Sequence, residues 1–318
     1  MRAAVASLAG LALALAPGIA GAQLLGGDFT LPGIGVKKRA DGILTLMGFA
    51  LIPDVTTSSL SIRQSETDNP KLGMTGLGGG FTYDPKDTPL FLEGTISGSR
   101  YDPKFVASNG TESRSLPVKW NSVAGSGGVG WDFPVAPDWV VRPIFNFALG
   151  HMESDVSLGS RFINQKFDKE IEFLQNGRLN SYGYGGSLML DWERVRPDHE
   201  IDLELRYTNI RMKTFDTSEG VEGNSTAQSF NAWARWRAPT GFTALDRPVR
   251  YVLEAAHTVF YGDMRGALGF NKLTTAGAGL ELDTSRNKPL WVTRVRLVYR
   301  HLTGENVSGN SVGLAASF

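Results

Sequence analysis

The chain contains no cysteine. That excludes a disulfide framework and thiolate metal sites. It also lacks an excess of either charge, with 32 Lys and Arg against 32 Asp and Glu. No broad basic footprint for nucleic acid follows from such a balance. Histidine is scarce: His151, His199, His257 and His301 are scattered and fit no metal-ligand spacing. The expectation is therefore no metal and no cofactor. Past residue 22 there is no run of about 18 apolar residues, so no helical membrane span is expected.

What is present points elsewhere. There are 38 glycines among 318 residues, and 10% of residues are aromatic, which suits many short strands joined by turns. Residues 1–22 read as a cleaved signal peptide. Arg2 gives the positive start, Val5 to Ala16 the apolar run, and Ala20-Gly21-Ala22 a small-x-small cleavage site. Residues 23–53 form a second unit, Gly- and Pro-rich at first, with the basic cluster Lys37-Lys38-Arg39. Ala40 to Leu51 tolerates a short helix capped by Asp41 and stopped by Pro53, and equally a strand.

Residues 54–318 are a series of alternating segments. The pattern predicts an all-β protein, about twelve antiparallel strands closed as a transmembrane barrel. The last segment shows the logic. Val312, Leu314, Ala316 and Phe318 share one face, and Ser311, Gly313, Ala315 and Ser317 the other. An open edge strand with so apolar a face invites aggregation, whereas closure removes the edge. The connections alternate too. Short turns such as Pro134 to Asp138 and Arg194 to His199 alternate with long polar loops such as Asp102 to Trp120 and Ser154 to Ser181. Short periplasmic turns opposite long extracellular loops is the barrel asymmetry. Ala238 to Arg250 is the exception, a long turn on the short side.

Two further patterns agree. The apolar faces carry Trp131, Phe133, Trp139, Trp192, Trp236, Tyr251, Trp291 and Phe318 at the short-turn ends. Five of the seven tryptophans fall in this set, as an interfacial aromatic girdle requires. A looser set, Phe147, Tyr207, Phe230, Tyr261 and Tyr299, marks the other end. The opposite faces carry Glu93, Arg142, Asp191, Asp202, Glu204, Arg206, Arg235, Glu254, Glu281, Arg294, Arg296 and Arg300. A charge facing lipid at mid-depth costs roughly 2–4 kcal/mol, so these are expected to line the lumen. His257 falls on the apolar face, which a bulge would correct.

Little catalytic chemistry is visible. Gly125 to Gly130 matches G-x-G-x-x-G but lies inside a strand pattern with no helix after it, so a dinucleotide site is not expected. His151-Met152-Glu153-Ser154-Asp155 is the one cluster at a strand end, but His151 and Ser154 are three apart and would face opposite sides of a strand.

Gly128-Val129-Gly130-Trp131, Pro137-Asp138-Trp139 and Arg142-Pro143 form a hairpin that resembles those of autotransporter translocator barrels. The signal peptide, the strand count, the Phe318 ending and the candidate helix before the first strand carry the same resemblance. It spans about Ala40 to Phe318. The resemblance implies an outer-membrane location in a Gram-negative cell, contact with lipid and lipopolysaccharide, and recognition of the C-terminal strand by barrel-assembly machinery. Only about thirty residues separate Ala22 from the first strand, far short of a β-solenoid passenger. The expectation is a solitary, non-enzymatic barrel without passenger. It would have a structural or surface role or gated conductance, with Lys37, Lys38 and Arg39 plugging the lumen. A small-solute porin and a lipid-acting rim enzyme are the alternatives.

Overall fold

The computed structural model describes residues 59–64, 71–83, 89–102, 105–108, 113–116, 120–154, 178–216, 223–265, 270–283, 294–305 and 307–317. The predicted signal peptide, the segment 23–53 with Lys37, Lys38 and Arg39, and the girdle residues Trp291 and Phe318 lie outside them.

The described elements are all strands: β1 Ser59–Gln64, β2 Lys71–Tyr83, β3 Leu90–Asp102, β4 Phe105–Ser108, β5 Ser113–Leu116, β6 Trp120–Trp131, β7 Phe133–Ala136, β8 Trp139–Ser154, β9 Arg178–Val195, β10 Glu200–Phe215, β11 Asn224–Ala244, β12 Arg247–Gly262, β13 Lys272–Asp283, β14 Arg294–Gly304 and β15 Val307–Ser317. Twelve of these form an antiparallel circuit. Each pairs with the next, β6 pairs with β3 and β8, and β15 pairs back onto β1 through Ser59↔Val312 to Gln64↔Val307. Among the described residues the twelve-stranded ladder closes on itself, which is the condition for strands to stand in lipid. β4 and β5 form a separate hairpin in the loop between β3 and β6, and β7 continues β6 past Asp132.

Alternation sets which face is which, and the burial is inverted relative to a water-soluble sheet. In β10, Leu203, Leu205 and Tyr207 are 37%, 42% and 43% exposed, while Asp202, Glu204 and Arg206 are 4%, 6% and 2% exposed. Period-2 geometry forces this separation, and only a lipid exterior rewards it. Along β8 the outward face runs from Trp139 to Leu149 through Phe145 and Phe147. Ten residues at about 3.3 Å each, tilted by about 40°, span about 25 Å, the height of an outer-membrane apolar band.

Aromatic rings flank that band. At the short-turn end Trp131, Phe133, Trp236 and Tyr251 are exposed, and Trp139 and Trp192 meet at 6.0 Å between centroids. At the other end Tyr182 lies 6.5 Å from Tyr184 and 6.0 Å from Phe215.

Two sequence expectations need correction. Ala238 to Arg250 is not a long turn. β11 and β12 continue past the girdle and turn tightly at Leu245-Asp246, whose φ values of 52° and 58° give the twist a two-residue hairpin needs. The extra length is absorbed by a register shift between Pro239 and Thr243, where Gly241 takes φ 80°. Nor does a bulge rescue His257. The β11–β12 ladder is regular from Ala227↔Gly262 to Pro239↔Arg250. His257 stays outward, and its Nδ1 lies 2.8 Å from Thr274 Oγ1.

A lumenal lattice of arginines and carboxylates

The inner face is built by parity. On β10, Glu200, Asp202, Glu204, Arg206 and Thr208 all point into the barrel. Strands β3, β11, β12 and β14 supply counter-charges to Arg206, Asp202 and Glu200, and long side chains reach past their neighbours to find them.

The first junction crosses the lumen. Arg206 on β10 donates to both oxygens of Glu93 on β3, at 2.7 and 2.6 Å. β3 and β10 are four strands apart in the circuit. Every donor nitrogen of Arg206 is engaged, since Nε reaches Thr208 at 3.2 Å and Nη2 also reaches Ser187 at 3.0 Å. Asn146 donates to Glu93 at 2.6 Å, and Ser187 donates to Asn146 at 2.6 Å. A bidentate, fully satisfied pair of this kind is the strong form of a buried ion pair. Glycine makes room for it: a Cβ on Gly128 would stand 2.6 Å from Glu93 Cγ and 2.7 Å from Asn146 Nδ2.

The second junction also starts on β10. Glu200 accepts from Arg294 on β14 at 2.8 Å and pairs with Arg237 at 2.9 Å and with Arg250. β14 is again four strands from β10. Behind it Arg296 holds Glu281 at 3.2 Å, and Arg300 holds Glu254 at 2.9 Å. A third group lies between the two. Arg142 bonds Asp132, approaches Asp191 at 3.4 Å and stacks 4.0 Å above Phe91. Arg235 bonds Asp202 at 2.7 Å and stacks 4.7 Å over Trp233.

Eleven of the twelve charged residues picked from alternation take part in these three groups, and Glu204 keeps step with Asp202 and Arg206 on β10. Glu204, buried, lines a cavity of about 240 Å³ with Glu93, Asp191 and Trp233. Sequence reasoning missed Glu200, Arg237, Arg250 and Asp132. Parity would have found them, since Glu200 keeps step with Asp202, Arg237 with Arg235, and Arg250 with Glu254. It also missed Trp233, whose ring faces inward.

At the rim, His151 is occupied. Its Nδ1 lies 2.6 Å from Asn180 Oδ1 and its Nε2 3.0 Å from Glu153. Asn180 in turn donates to the carbonyl of Asp216 at 2.8 Å. In the two-residue turn between β14 and β15, Glu305 accepts from the backbone N–H and the Nδ2 of Asn271 at 3.0 and 2.9 Å. That backbone hydrogen bond foremost holds the Glu305 carboxyl below the usual range. Among the described residues, no group of three or more His, Asp or Glu is placed to hold a metal ion.

A closed strand circuit, an apolar band between aromatic rings and a charged interior define an outer-membrane β-barrel. Solved structures of that class are similar in fold. The β domain of the Bordetella autotransporter BrkA has a TM-score of 0.46 at 12% identity, covering 82% of this chain and 97% of that one. The translocator domain of autotransporter NalP from Neisseria meningitidis has 0.44 at 10%, covering 89% and 99%. The NanC porin has 0.38 at 12%, covering 82% and 100%. No protein-family model matches the chain. No curated protein matches it in sequence.

Proposed function

We propose that the chain is a non-enzymatic outer-membrane barrel of the autotransporter-translocator type, closed at rest by its own side chains, with a structural or surface role and at most gated conductance. One observation carries this reading: both cross-lumen junctions radiate from β10. The Arg206–Glu93 pair ties it to β3, and the Glu200–Arg294 pair ties it to β14. An open solute pore has no use for buried ion pairs spanning its bore, each of which carries a desolvation cost.

Catalysis is not part of the proposal. Both ring nitrogens of His151 already have partners, whereas a general base needs one nitrogen free for its substrate. Refolded protein is expected to release no fatty acid from phospholipid or lipopolysaccharide. Turnover that disappears in His151→Ala would overturn this.

The segment 23–53, with Lys37, Lys38 and Arg39, is proposed as a second closure. Planar-bilayer recordings of the refolded chain with and without residues 23–53 test the closed state. The full chain is expected to be nearly silent. Steady porin-like conductance of the full chain would instead favour the small-solute channel.

A further inference from the structure

The two junctions on β10 differ in charge balance. At the first, one guanidinium meets one carboxylate and every nitrogen of Arg206 donates. At the second, three guanidiniums converge on the single carboxylate of Glu200, which is 2% exposed. Arg237 and Arg294 both approach its Oε2, at 2.9 and 2.8 Å, while Arg250 bonds its Oε1.

The other carboxylates nearby are shared among several arginines, and Arg237 also stands 3.5 Å from Glu193. Arg237 shares Asp202 with Arg235. Glu281 is held by Arg296 at 3.2 Å, and stands 3.5 Å from Arg237 and 3.8 Å from Arg294. Arg237 Nε is buried and has no hydrogen-bond partner. A buried donor in that condition costs free energy until something accepts from it. Arg250 and Arg294 are not sealed in; their side chains are 24% and 28% exposed at the short-turn mouth.

We infer that the Glu200 junction is a binding site for a small oxyanion of the phosphate class, taken from the aqueous phase, with Glu200 as its built-in competitor. Planar guanidinium forks match tetrahedral oxyanions through paired N–H donors. Partial burial strengthens the attraction relative to bulk water. The incoming anion engages Arg250 and Arg294 at the mouth, where both guanidiniums otherwise share the single carboxylate of Glu200. The assignment stands on the geometry of this mouth and holds whether or not the lumen conducts.

Equilibrium dialysis of the refolded full chain against inorganic phosphate tests it, in detergent and at constant ionic strength set by chloride. The expected result is saturable binding that sulfate competes away. The double variant Arg250→Gln, Arg294→Gln is expected to bind at least about tenfold more weakly, and Glu200→Gln at least about tenfold more tightly, since one charged competitor is removed. Arg211→Gln, on the outward face, is the control and leaves binding unchanged. Non-saturable uptake by the wild type overturns the assignment, as does undiminished binding in the Arg250, Arg294 double variant. If Glu200→Gln does not refold, the double variant alone decides, because its two side chains are partly exposed.

Discussion

Arg300 on β14 and Glu254 on β12 are joined across the strand between them, with Nε 2.9 Å from Oε2. The chain of β13 allows this at Gly277. A Cβ there would stand 2.7 Å from Arg300 Cγ, 3.0 Å from the carbonyl of Tyr299 and 3.1 Å from Val298 Cγ1. The inner face of β13 is therefore bare where its neighbours need to meet.

Gly277→Val is accordingly expected to displace Arg300 and lose its bond to Glu254. Overpacking of this kind costs about 1–3 kcal/mol. The temperature at which the folded, heat-modifiable gel band disappears should fall. Gly98→Ala, whose added Cβ would meet nothing closer than a carbonyl at 3.7 Å, should leave it unchanged. Equal losses in both variants would refute the steric role of Gly277.

The outward face gives a second test. Leu205 is exposed on the lipid side of β10. Leu205→Arg should lower the stability of the refolded barrel in bilayers by roughly 2–4 kcal/mol. Val195→Arg, at the end of β9 beyond the girdle, should change it by less than about 1 kcal/mol. Denaturant titrations in lipid vesicles measure both. Tolerance of Leu205→Arg would mean that this face does not meet lipid.

Loop stability should depend on pH through Glu305. Its folded carboxyl is held below the usual range, first by the backbone N–H of Asn271, then by the Asn271 side chain and Lys272. A depressed folded value means that the ionised form stabilises the fold. The contribution is complete above the unfolded value and is lost as pH falls through the folded one. The Asn271 amide should therefore exchange with solvent faster in acid than intrinsic rates explain. Glu305→Gln should abolish that pH dependence. Unchanged exchange in the variant would count against the clasp.

Much of this architecture is legible in the sequence because a barrel strand has only two faces. Asp202, Glu204 and Arg206 alternate with Leu203, Leu205 and Tyr207, so naming the lipid face names the lumen face. The partners are not legible. Arg206 finds Glu93 from 113 positions away, and Arg294 finds Glu200 from 94. No local spacing encodes a chord across a closed sheet. The hairpin at Leu245-Asp246 was hidden for a different reason. Its turn residues are neither Gly nor Asn, and Pro239 and Gly241 upstream read as the turn itself. His257 was misread because a polar residue on a lipid face suggests a slipped register, whereas here a neighbouring hydroxyl accommodates it.

The central claim is that β10 closes the lumen by its two cross-barrel junctions. Single-channel recording of the refolded wild type, beside a variant carrying Glu93→Ala and Arg206→Ala together, tests it most directly. Removing both partners avoids leaving one charge buried and unpaired. The account predicts a nearly silent wild type and frequent, larger openings in the double variant, with refolding confirmed for both by heat-modifiable mobility. Sustained conductance in the wild type, or identical traces from the two proteins, would contradict it.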